Sequence, residues 1–143
     1  MTLRRDTKIM AGWLIVILPT VVYGGFSILS MVINKDVGIV ENALRKDFFR
    51  AGHAHAGVLL MLSLIAYLYV DKAELSTLFR SIVKSFIPLS AIFVPGAFFF
   101  SMISKTATEP NGWIYLSYVG IFFLVVGLII LGIGLIRSRS DST

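Results

Sequence analysis

The chain has no cysteine among its 143 residues. A disulfide framework, a thiolate zinc site and a cysteine nucleophile are therefore excluded. Histidine is scarce: His53 and His55 are the only two. No catalytic triad, carboxylate pair, P-loop or dinucleotide fingerprint is present. Charged residues make up 15% of the chain and hydrophobic ones 57%, above the roughly 45–50% apolar content usual in soluble domains. The net charge of +5 is spread between apolar runs. Lys and Arg placed there report topology and contact with lipid headgroups rather than nucleic acid.

What is there is four long apolar runs, Ile9 to Ile33, Ala51 to Val70, Ser85 to Ser104 and Trp113 to Ile136. Each holds about 20 residues or more, enough to cross a hydrocarbon core of roughly 30 Å at about 1.5 Å per residue. Period-two alternation is absent, which argues against a β-barrel. Within lipid only the helix satisfies its own backbone. The expectation is an all-α fold, a four-helix transmembrane bundle forming one integral membrane domain over residues 1–143. The basic head "MTLRRDTK" resembles a signal-peptide start. The apolar run behind it is too long and lacks a small-x-small cleavage site, so it reads as a retained helix.

The links are short. Residues 34–50 form the longest, and Val37, Ile39, Val40, Leu44 and Phe48 could make an amphipathic surface helix or lie in a plain loop. Arg4, Arg5, Lys8, Lys72, Arg80, Lys84, Arg137 and Arg139 fall on one side, eight in all, against five on the other: Lys35, Arg45, Lys46, Arg50 and Lys105. The positive-inside rule then places both termini in the cytoplasm. Pro19, Pro88 and Pro95 interrupt two spans and read as kinks that set packing geometry.

Both histidines stand in "FFRAGHAHAGVLLML", Phe48 to Leu62, with Arg50 three residues before the first. On a formed helix, residues two apart point roughly 200° apart. His53 and His55 can share one site only if the chain is extended there. A bis-histidine haem within one chain is excluded, because axial ligands must approach opposite faces of the macrocycle. A single-histidine haem, or one shared across a dimer, remains open. So does a metal site at the same level, drawing on His53, His55, Met31, Met102 and Glu41, with Tyr115 and Glu109 nearby. Imidazole with thioether favours copper, and imidazole with carboxylate favours zinc, iron or manganese. Against these stands an interfacial reading, in which the rings hydrogen-bond phosphate headgroups, Glu41 or the Asn111 region. Gly52-x-x-x-Ala56 is a small-xxx-small pattern for close helix packing or for a flat cofactor.

"RAGHAHAGVLL" resembles the head of a helix in small bacterial four-helix membrane proteins. It is distantly similar to the His-x-His helix starts of haem–copper-oxidase-like and NnrS-like membrane proteins. That resemblance covers about a dozen residues. It implies haem or copper binding through His53 and His55. The further histidines of those larger folds are missing, which rules out a complete oxidase site.

The expectation is a small polytopic membrane protein whose candidate cofactor-binding residues are Arg50, His53 and His55. The competing class is a structural or accessory subunit packed in the bilayer against partner membrane helices. A small transporter assembled as a homo-oligomer is a third. Reporter fusions at residue 143 and within residues 105–111 should report opposite sides of the membrane; the same side for both would defeat the topology.

Overall fold

The computed structural model describes residues 3–138. These form α1 (Arg5–Ile33), α2 (Val37–Val40), α3 (Ala43–Val70), α4 (Thr77–Ser101) and α5 (Leu116–Arg137), the last entered through a 3-10 turn at Gly112–Tyr115. No strand occurs among the described residues. α1, α3, α4 and α5 with its lead-in are long and apolar enough to cross a membrane. The all-α architecture with four spans is therefore the fold of this chain.

The spans begin earlier than their apolar runs. α3 starts at Ala43 and α4 at Thr77, each eight residues before the hydropathy change at Ala51 and Ser85. Caps set these starts. The Asn42 side chain accepts from the Arg45 N–H at 3.0 Å, and Ser76 accepts from Phe79 N–H at 3.4 Å. Both are preferred N-cap residues, satisfying N–H groups that have no helical partner. The link expected over 34–50 shrinks to two tight turns around the single helical turn α2. α1 stops in a Schellman turn: Asp36 N–H reaches Met31 O and Lys35 N–H reaches Val32 O, with Lys35 left-handed at φ 53°.

Two ends follow. At the loop end, the Asn42 amide donates to Ala107 O at 2.8 Å. There the Lys105 ammonium lies 3.1 Å from Asp36 and, with the Gly38 N–H, holds that carboxyl below its ordinary pKa. Arg45 is buried and has no carboxylate partner among the described residues. Its Nε donates to Met102 O at 2.9 Å and a terminal nitrogen donates to Gly38 O at 3.0 Å. Asn111 takes two further carbonyls of the same helix end, those of Ser101 and Phe100. At the terminal end, Lys84 is buried, 2.7 Å from Asp6 and 3.6 Å from Asp71, while Arg4 N–H donates to Asp71. Lys84 is not a link residue; it lies two turns inside α4.

Packing is tightest between α4 and its neighbours. Gly120, Gly127 and Gly134 recur every seven residues on α5. A Cβ at each would lie 2.6, 2.7 and 2.6 Å from Val94, Ile87 and Leu75 respectively. Seven-residue spacing keeps the three on one seam: α4 seats on backbone at Gly120 and Gly127, and the link before it does so at Gly134. On the other side of α4, Phe98 and Phe99 meet Phe48 and Phe49 edge to face, with centroids 5.5 and 5.3 Å apart. Gly52 fits beneath them: a Cβ there would lie 3.1 Å from the Phe99 ring. α1 is attached more lightly, burying only Thr7, Leu14 and Ile28.

One proline of α4 is compensated across the bundle. Pro88 has no N–H for the carbonyl four residues back, which belongs to Lys84. The buried Tyr67 hydroxyl of α3 donates to that oxygen at 2.7 Å. Tyr67→Phe should therefore destabilise the bundle by about 1–3 kcal/mol, because it strands a buried carbonyl. The same substitution in a Pro88→Ala background should cost much less, since an alanine at position 88 restores the helical N–H. Thermal melts of the four proteins in one detergent check this; equal losses in both backgrounds would refute it.

Candidate functional site

α3 presents two faces. Arg45, Phe49 and Gly52, four and three residues apart, turn toward α4 and the loop end, and the buried Leu59 and Ser63 continue the same face. Rotated roughly 100° from them lie Lys46, Arg50, His53 and Gly57, which face α1. Because Asn42 starts the helix at Ala43, the segment holding both histidines is helical, and the extended option is closed.

His53 and His55 accordingly part. The His53 ring lies across Gly24 and Gly25 of α1, and a Cβ on Gly25 would stand 2.6 Å from its Nε2. Gly25 is the slot that admits the imidazole; a Cβ on Gly24 would stand 4.0 Å from Nδ1, an ordinary contact. Among the described residues neither ring nitrogen of His53 has a hydrogen-bond partner. His55 faces outward beside α4. Its ring stacks on Phe98 at 5.2 Å, and its Nδ1 lies 2.8 Å from Ala51 O. A carbonyl only accepts, so Nδ1 is the donor in this contact.

The other candidate ligands lie elsewhere. Met102 is fully buried at the end of α4, its carbonyl taken by Arg45. Glu41 is exposed behind α2, beside Lys105. Met31 is half-buried near the end of α1. Glu109 and Tyr115 are exposed on the far side of α4. Among the described residues no three His, Cys, Asp or Glu side chains gather around a metal-sized point. A haem on His53 alone needs room in line with Nε2, and the Gly25 backbone stands there. As packed, these residues do not fit that group.

What the structure does bring together is Arg50 and His53, in a cleft between α1 and α3. Its deeper part, about 800 Å³, runs from His53 past Val21, Val22, Gly57 and Met61 to Ile65 and is almost wholly apolar. Its upper part, about 730 Å³, is bordered by Asp47, Arg50, His53 and Gly25. An extension along Leu29 and Val32 reaches Lys46. His53 borders both main chambers. Ligand pockets typically measure about 300–1,000 Å³ and pair an apolar lining with a few polar groups. Gly24, Gly25 and Gly57 gave no sign of this role in the sequence. The signal that could have found it is the register of Lys46, Arg50, His53 and Gly57, spaced four, three and four residues apart.

No protein-family model matches the chain, and no curated protein or solved structure matches it either.

The slot makes a direct prediction. Gly25→Val should destabilise the wild type by about 1–3 kcal/mol, an overpacking cost, and should cost little when His53 is already replaced by alanine. Thermal unfolding of the two single variants and the double variant gives the coupling. Additive effects would show that His53 does not occupy the slot.

Proposed function

We propose that this is an integral membrane binding protein, with cytoplasmic termini, that holds an amphipathic molecule in the cleft between α1 and α3. The apolar part lies in the deeper chamber, and the polar end meets His53 and Arg50. The observation that carries this reading is the change of character along one cleft. Within a few helical turns of α3 the lining passes from Met61 and Gly57 to His53 and Arg50. An imidazole without a partner at this depth is costly unless something pairs with it. Ionisable groups inside a membrane span mark functional sites by default. Nothing in the cleft sets up a nucleophile with a base, so the reading is binding rather than catalysis.

A structural role remains the second reading, favoured by one observation. α1 leaves large apolar side chains such as Trp13, Val22, Tyr23 and Phe26 exposed, a surface that a partner membrane helix could cover.

The test is ligand retention. Native mass spectrometry of protein purified in mild detergent should show a bound small amphiphile. Gly57→Leu should expel it, because a Cβ at Gly57 meets only Val21, at 3.9 Å, so the added side chain fills the cleft without distorting the helix. His53→Leu should weaken retention, while His55→Ala should leave it unchanged. Absence of any bound amphiphile, or a protein partner lost on Gly57→Leu, favours the structural role. A Soret band in the visible spectrum would replace the proposal with a haem one.

A further inference from the structure

The cleft carries more positive charge than its surroundings use. Lys46 and Arg50 stand one helical turn apart on α3 and both border its upper end. Like charges at this spacing repel by about 0.2–0.5 kcal/mol. Among the described residues neither forms an ion pair; the pairs present belong to Lys84 and Lys105. Asp47 borders the same chamber without pairing with either. The facing wall of α1 is Gly25, Ile28, Leu29 and Val32, which supplies no counter-charge.

The rims of the cleft also face outward. Val22 and Phe26 on one side and Val58 on the other are each about two-thirds exposed (67%, 65% and 67%). These are surfaces that belong in hydrocarbon, so the cleft opens sideways to the bilayer and its occupant can enter from the leaflet. Arg50 is suited to a phosphodiester, because its guanidinium can give two parallel hydrogen bonds to phosphate oxygens.

We infer that the occupant is an anionic phospholipid from the leaflet at the loop end. Its phosphate is held by Lys46 and Arg50, and an acyl chain passes His53 into the apolar chamber. The inference rests on the binding reading above and adds the sign of the head group and its source. From His53 to Ile65 α3 rises about 18 Å, at about 1.5 Å per residue, so the apolar chamber covers the roughly 15 Å hydrocarbon depth of one leaflet.

The test compares phosphatidylglycerol, phosphatidylcholine with the same acyl chains, and oleate, each offered to delipidated protein in detergent and read by native mass spectrometry. Wild type should retain phosphatidylglycerol over phosphatidylcholine by about tenfold: both offer the phosphodiester, but phosphatidylcholine also brings a quaternary ammonium against Lys46 and Arg50. The Lys46→Gln, Arg50→Gln double variant should bring that ratio near one while still retaining phosphatidylcholine. Lys8→Gln, an exposed charge at the other end, should leave it unchanged. Thermal melts confirm that each variant is folded. Equal retention of the two phospholipids by wild type overturns the anionic inference and leaves the cleft reading standing. No retained amphiphile at all overturns both. Oleate held in preference to either phospholipid, or selectivity lost equally in Lys8→Gln, overturns the assignment to a leaflet phosphate.

Discussion

The bundle depends on how the end of α4 is closed. A helix leaves its last four carbonyls without partners and carries partial negative charge there. In this chain that end is buried, and Arg45 answers both needs. Its guanidinium is a fixed cation at the negative pole of α4, and it donates to Met102 O and to Gly38 O. The Phe49 ring lies 4.3 Å below it, a cation–π contact that further offsets the loss of water. A buried charge without a carboxylate is ordinarily expensive. Here carbonyl dipoles take the place of the carboxylate, and they belong to two different helices. Removing Arg45 would strand the end of α4 and release α2 together.

That contact also sets the rotation of α3. With Arg45 fixed on α4, residues 49, 52, 59 and 63 must follow on the same face, and Gly52 falls where an added Cβ would press on Phe98 and Phe99 at 3.1–3.2 Å. The face bearing Lys46, Arg50, His53 and Gly57 is then committed to α1. α4 is held on both sides by backbone-close packing and aromatic pairs, whereas α1 meets α3 across glycines and a cleft. α1 is anchored by Leu14 in the core, with Met10, Ala11 and Leu18 packed around it, and by polar contacts at one end, where Arg4 and Asp6 meet Asp71 and Lys84. The fold is therefore a rigid three-helix core with a fourth helix laid loosely along it, and the cleft is the space this arrangement leaves.

The four spans were legible because hydropathy alone dictates them: a run of about 20 apolar residues has few other stable forms. Their starts were not legible from hydropathy. Residues 43–50 read as a link because Arg45, Lys46, Asp47 and Arg50 are charged, yet the Asn42 cap and the α4 carbonyls make that segment helical. Lys84 misled in the same way, since a lysine was counted as loop-facing when two aspartates fold over it. A helical segment cannot turn both histidine rings to one point, and that geometry was readable from their spacing. The helix start that decides between the helical and extended cases was not, because it rests on the Asn42 cap. The link between Tyr67 and Pro88 had no sequence signal, because the residues lie 21 positions apart and meet only through packing.

Polar side chains inside this bundle mostly serve the backbone. Ser63, Ser90 and Ser101 donate to carbonyls within their own helices, Tyr67 to the carbonyl that Pro88 releases, Arg45 to two helix ends, and His55 to Ala51. Three buried atoms without a hydrogen bond, on Thr7, Asp71 and Arg80, sit at the terminal end around or near the Lys84 ion cluster. His53 fits neither group. Among the described residues it serves no carbonyl and no ion pair, and α1 gives up a side chain at Gly25 to make room for it. Glycine costs a helix interior about 1 kcal/mol relative to alanine. One devoted to an imidazole is poorly explained by packing, since a smaller apolar residue at position 53 would fill the interface without it. The arrangement makes sense when the ring faces a polar group that comes from outside the chain, and the cleft on both sides of His53 is where such a group would arrive.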